Sequence, residues 1–192
     1  MKPNILIAGL LIGTSLMANP YESKQEEIAS VVETGKKASM QLLKTLGSNL
    51  KKHMKAEGPV GAAKFCSTRA FPLTDQVSAE QGSGVTVKRI SLKYRNPANQ
   101  AENRQELAIL TSFQTLQDNN VILPEYLVEQ VDTETYKFYK PLNINKGVCL
   151  KCHGTIKNPK VASFIKANYP EDKATGYKMG DLRGAIVVTI KK

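Results

Sequence analysis

The chain is short of several things. It has three cysteines among 192 residues, and a disulfide scaffold uses thiols in pairs, so at least one of Cys66, Cys149 and Cys152 has another task. Nothing repeats at a fixed period and no segment is low in complexity, which excludes a repeat architecture. No proline lies between Glu22 and Ala56, so nothing interrupts a helix there. The longest apolar stretch, Ile5 to Met17, falls short of the ~20 residues needed to span a bilayer. With Lys2 before it and Ala18 behind it, this stretch reads as an export signal over residues 1–18, although Leu16 stands where a small residue is usual. No cysteine follows that could carry a lipid. The expectation is a periplasmic chain with no stable membrane anchor after cleavage, and one domain over residues 19–192.

Charge of one sign dominates: the formal net charge is +10. The lysines are dispersed, from Lys36, Lys44 and Lys52 to Lys137, Lys146 and Lys157. A nucleic-acid reader would cluster them with aromatics in a recognisable module, so this function is excluded and a solvated surface is expected. A docking face for an acidic redox partner is a second use of the same lysines.

Apolar residues at Ile28, Val32, Leu42, Leu46 and Leu50, with Gly35 and Ser39 in step, predict a long amphipathic helix over 22–56. "EGP" at 57–59 ends it, and Pro59 suits the first turn of a second helix over 59–70, since Pro72 disfavours helical geometry at Phe71. This second helix carries Ala63, Cys66 and Ala70 on a stripe of small residues. After "QGSG" the period changes to two at Val85 and Val87, then Ile90, Leu92 and Tyr94. A helix over Glu102–Leu116, two strands around Asp132 and Thr133, a short helix at Val161–Ala167 and a final strand in "RGAIVVTI" complete an α+β domain with an antiparallel sheet.

The segment richest in chemistry is "KGVCLKCHGT", residues 146–155. Cys149-Leu150-Lys151-Cys152-His153 matches C-x-x-C-H, the attachment site of a c-type haem. Two thiols three apart share one face of a helical turn and can each form a thioether with a vinyl group, while His153 binds the iron. Gly154 lets the backbone pass close to the macrocycle. Three other readings compete. A thioredoxin-like pair would sit near a βαβ pattern, which is missing here. A structural zinc could draw on Cys66, Cys149, Cys152 and His153. A plain Cys149–Cys152 disulfide is the third.

An iron bound by His153 has a second axial position. Cys66, His53, Met54 and Met179 are the candidates, with Met40 farther back. Arg95 and Arg183 are candidate partners for the haem propionates, because a guanidinium fork matches a carboxylate. The alternatives are that Arg95 orders its own loop and that Arg183 pairs with Asp181. No paired acid and base accompanies the motif, so an enzyme is not expected.

"GPVGAAKFC", "KRISLKYRNPANQ", "CLKCHG" and "YPEDKATGYKMGDLRGAIVV", in this order and spacing, resemble the family of haem-c-binding PAS-like domains, a former domain of unknown function with a cyanobacterial Cys/His-ligated member. The chain departs from it at Gln100, where the family has proline. The resemblance implies a PAS-like fold over nearly the whole mature chain. It also implies a single covalent haem c whose axial ligands are His153 and Cys66. Such a cytochrome has a low potential, and release of the thiolate on reduction would open a site for a small gas. A redox or gas sensor follows, with low-potential electron transfer to a partner protein as the alternative.

Overall fold

The computed structural model describes residues 20–192, and the expected export signal at 1–18 lies outside the described residues. The chain begins with a helix, α1, over Pro20–Thr68, broken at Gly58, whose φ of 70° and ψ of −164° are not helical. In an unbroken helix residues 53 and 65 would lie about 18 Å apart. Instead the His53 and Phe65 rings stack with centroids at 4.8 Å, so the two arms of α1 fold back on each other at Gly58. Only a glycine takes this positive φ without strain, and Pro59 then opens the second arm with no N–H to satisfy.

The buried stripe of the long arm runs Val31, Gly35, Ala38, Ser39 and Leu42. At its N-terminal end this differs from the sequence reading. Ile28 is 39% exposed and Val31 takes the inward place, because Ile28 and Val32 lie beyond the main core and line a shallow surface groove with Tyr126. Gly35 is required where it stands: a Cβ there would overlap the Phe138 ring.

A further helix, α2, spans Ala70–Ala79 where no helix was expected beyond Ala70. Pro72 falls in its first turn, where backbone N–H groups have no intrahelical acceptor, so its missing donor costs nothing. Strand β1 (Val85–Ile90), helix α3 (Arg104–Asp118), strands β2 (Leu127–Gln130) and β3 (Thr135–Asn143), one-turn helix α4 (Leu150–His153), helix α5 (Pro159–Asn168) and strand β4 (Leu182–Lys191) follow. Leu92 and Tyr94 lie outside β1: pairing ends at Ile90, and Ser91 instead donates its N–H to Asn99 O at 2.9 Å. Gln100, at the position of the departure from the family, has φ −73°. That is the angle a proline ring imposes, so the backbone at Gln100 is one that proline could also take.

The four strands form one antiparallel sheet in the order β1-β4-β3-β2. Its central strand β4 is covered on both faces. Ile186, Val188 and Ile190 pack with Val31, Leu42, Val77 and Phe138 towards α1 and α2. Ala185 and Val187 pack with Leu110, Phe113 and Tyr139 towards α3. Burial on both faces explains the unbroken apolar run of "GAIVV". The architecture is α+β. On the α3 side Glu106 is fully buried, with Oε1 at 2.8 Å from both Lys88 Nζ and Lys137 Nζ, while Oε2 accepts the Glu102 N–H at 2.9 Å. A third, small cluster of Ile144, Ala174 and Tyr177 supports Cys149 and Leu150 and so carries the motif.

Candidate functional site

The motif is wound tightly by its own backbone. The N–H groups of Cys149, Cys152 and His153 bond Lys146 O, Cys149 O and Cys149 O at 3.0, 3.2 and 2.9 Å. Cys149 precedes α4 and Cys152 lies within it, so both thiols belong to one turn, as their spacing predicts. Gly154 closes the turn. A Cβ there would lie 2.9 Å from Leu150 O, so the close approach that demands glycine is to its own turn. The chain then returns alongside: Tyr177 and Gly176 donate their N–H groups to His153 O and Gly154 O at 2.9 and 3.2 Å.

Arg95 fastens this turn from outside. Its Nε and Nη2 grip Asp172 Oδ1 and Oδ2, each at 3.1 Å, and Nη2 also reaches Cys152 O at 2.7 Å and Ala174 O at 3.1 Å. A bidentate, largely buried pair of this kind fixes orientation as well as charge. Arg95 thus ties the motif to the segment containing Asp172 and Ala174. Arg183 does not pair with Asp181, which instead accepts the Lys178 N–H at 2.7 Å. Arg183 Nη1 bonds Ser91 Oγ at 2.6 Å and Lys93 O at 3.2 Å, with its guanidinium 5.5 Å from the centroid of Tyr177.

His153 is held in one state. Its Nδ1 lies 2.9 Å from Ala174 O, and a carbonyl can only accept, so Nδ1 bears the proton. Crowding by protein, then the charges of Arg183 and Arg95, press its pKa down to about 3. The imidazole is therefore neutral with its lone pair on Nε2, the state a metal ligand needs, with its second nitrogen oriented by a backbone acceptor. Tyr177 meets the ring edge-on at 6.2 Å.

Of the candidates for the second axial position, Cys66 lies in range of the motif. It is exposed to solvent, yet protein crowds its remaining sides and pushes the thiol up to about 11, with Cys152 adding to the shift and Arg89 and Arg95 opposing it. Its neighbours on α1, Ala62, Ala63 and Phe65, are buried. His53 is engaged elsewhere, through Nδ1 at 2.6 Å from Glu57 Oε1 and through its stack on Phe65. Met54 is half-buried on the long arm of α1, Met40 is 55% exposed, and Met179 is 52% exposed in the turn before β4.

Two of the competing readings bear on geometry. None of the three cysteines is disulfide-bonded. Among the described residues no three His, Cys, Asp or Glu side chains converge as metal ligands, so Cys66, Cys149, Cys152 and His153 do not build a closed zinc site, which needs four ligands within about 2.3 Å of the ion.

One site residue escaped the sequence reading. Arg89 on β1 has its Nε buried with no hydrogen-bond partner. Burial works against its charge, as it does for Arg183. Its strand position was the available signal: Val85, Val87 and Arg89 share one face by alternation, and a charge ending an inward stripe marks a special place.

The match to the family model "Tll0287-like" runs over residues 17–191. A solved structure, the crystal structure of the cyanobacterial haem protein Tll0287, is similar at 26% identity with a TM-score of 0.60, covering 91% of this chain and 98% of that one. No curated protein matches. With a family model matched from end to end of the described fold, the chain belongs to the Tll0287-like family.

Proposed function

We propose that the chain is a periplasmic monohaem c-type cytochrome, with thioether links at Cys149 and Cys152 and with His153 and Cys66 as axial ligands, acting as a redox or gas sensor. The observation that carries this reading is His153: a neutral imidazole, its Nδ1 proton committed to Ala174 O, directly behind two cysteines of one helical turn. The cyanobacterial relative's description as a haem protein supports the same cofactor.

The residues present fit that group by charge. Arg89, Arg95 and Arg183 come together, and among the described residues Asp172 is the one carboxylate bonded to them, which leaves the site in need of anions. A haem brings two carboxylates. When bound it supplies a one-electron couple, held at low potential by an anionic sulfur ligand.

The chain's own residues divide the work. Cys149 and Cys152 anchor, Ala174 O orients His153, and Arg95 with Asp172 keeps the turn in place. Cys66 is the movable ligand. Its arm is only the stretch between the break at Gly58 and the start of α2 at Ala70, so a shift of the sulfur is taken up between two breaks in the helical backbone. That arrangement favours a sensor. The exposed Lys146, Lys151 and Lys157 around the motif favour the alternative, a low-potential electron carrier that docks on an acidic partner.

The test is to express the full chain in a host competent in cytochrome maturation, weigh it intact, and record ferric and ferrous spectra with and without carbon monoxide. The expected outcome is a mass increase of one haem, a ferric spectrum with sulfur ligation that Cys66→Ala abolishes, and carbon monoxide binding to the reduced protein. Colourless protein of unmodified mass would sink the cytochrome reading. A carbon monoxide-silent ferrous form would leave the electron carrier.

A further inference from the structure

Arg89 adds to the positive charge of the site, but unlike Arg95 and Arg183 its surroundings do not explain its charge. It follows Val85 and Val87 on the face of β1 that packs against α1 and α2. Among the described residues its Nη2 reaches only Ala70 O, at 3.5 Å, and its Nε is buried with no acceptor. The titratable and charged groups that face it are Cys66, Arg183, Tyr169 and Asp75. The first is a thiol, the second a like charge and the third a phenol. Asp75 is exposed on α2 and makes no ion pair with it among the described residues. A buried guanidinium donor without an acceptor is rare because its desolvation is uncompensated. Arg95 shows the satisfied version close by, with each bonding nitrogen matched to an oxygen.

We propose that Arg89 is an anion anchor that takes a carboxylate of the bound haem, beside the sulfur of Cys66. The inference rests on the cytochrome reading above. A carboxylate supplies two acceptor oxygens in the plane of a guanidinium fork. A second source of the same chemistry is a small free carboxylate from solvent, to which Cys66 is exposed.

The experiment compares the haem-loaded full chain with its Arg89→Gln and Arg89→Lys variants by resonance Raman spectroscopy of the propionate bending band and by midpoint potential against pH. Acetate is the probe for the free source. The glutamine variant should shift the band, lower the potential, and make it fall with rising pH, as the unpaired carboxylate takes up a proton on reduction. The lysine variant keeps the charge and loses the fork. It should therefore shift the band while holding the potential near that of the wild type, which keeps the test decisive if the glutamine variant folds poorly. Acetate should leave the wild-type spectrum unchanged. An unchanged band in both variants, or a saturable acetate response in the wild type that Arg89→Gln removes, overturns the inference while leaving the cytochrome intact. Protein without haem overturns both.

Discussion

Glu106 and Arg89 lie on opposite sides of the same sheet, and both are charges inside a domain. Glu106 answers to Lys88 and Lys137 and to the Glu102 N–H, so every charge in that cluster has a partner from another element. It ties α3 to β1 and β3. Arg89 makes no ion pair among the described residues and has an idle buried donor. A charge that closes its own circuit serves the fold. One left open, with the thiol of Cys66 among its neighbours, is the one to test as a binding group. The difference is a practical rule for reading a buried ion: count the acceptors before assigning the role.

The comparison can be broken from either side. The largest effect is expected at the anchor: Cys149→Ser with Cys152→Ser should abolish the covalent mass increase and the visible absorption, while far-ultraviolet circular dichroism reports whether the closed side of the sheet survives. Next comes Glu106→Gln. It leaves the Lys137 ammonium without its carboxylate while Lys88 keeps Glu102, and should cost about 2–3 kcal/mol in denaturant unfolding, far more than an exposed pair such as Lys36–Glu125.

The same residue sets a pH dependence. Burial alone would raise the Glu106 pKa, but Lys137, Lys88 and the Glu102 N–H outweigh it and hold the carboxyl below its ordinary 4.5. Its contribution is therefore full above pH 4.5 and is lost as pH falls through the lower folded-state value. Unfolding monitored from pH 6 to pH 3 should show a loss of stability that is shallower in Glu106→Gln.

A smaller stability effect is expected from Asp172→Asn, about 1–2 kcal/mol, because the amide keeps part of the grip on Arg95. The ferric spectrum should change along with it as Cys152 and His153 loosen, and a spectrum identical to wild type would remove Arg95 and Asp172 from the positioning role. Smallest in stability is Cys66→Ala, within about 0.5 kcal/mol for an exposed side chain, yet it should transform the ferric spectrum. If both quantities moved together, Cys66 would belong to the fold rather than to the site.

Local signals were readable where the chain decides its own conformation. The doubly covered β4 shows as an apolar run, the β2–β3 turn as Asp132, whose carboxylate caps Glu134 N and Thr135 N at 2.8 and 2.7 Å, and the end of the long helix as Gly58-Pro59. The turn of the motif was legible for the same reason, because its spacing fits a single helical turn. The failures have physical causes. Pro72 reads as a stop unless the first turn of a new helix is allowed for. Ile28 and Val31 both fit a helical period, and only the position of the sheet beneath α1 decides which faces in. Glu106 sits in an Asn103-x-x-Glu106 start signal for α3, where Asn103 Oδ1 caps Glu106 N at 2.9 Å, so an exposed capping acid is the local reading. Its burial depends on lysines from two strands distant in sequence. Arg95 and Asp172 likewise meet across 77 residues, a distance over which no periodicity speaks.

The position of β4 has a bearing on timing. β1 and β3 are joined only through it, and its pairing with β1 spans the stretch from Val85 to Ile190, so the sheet cannot close until that last strand is in place. Pairings so distant in sequence make folding slow. During that delay any covalent attachment at Cys149 and Cys152, as proposed above, would meet a chain whose sheet is still open.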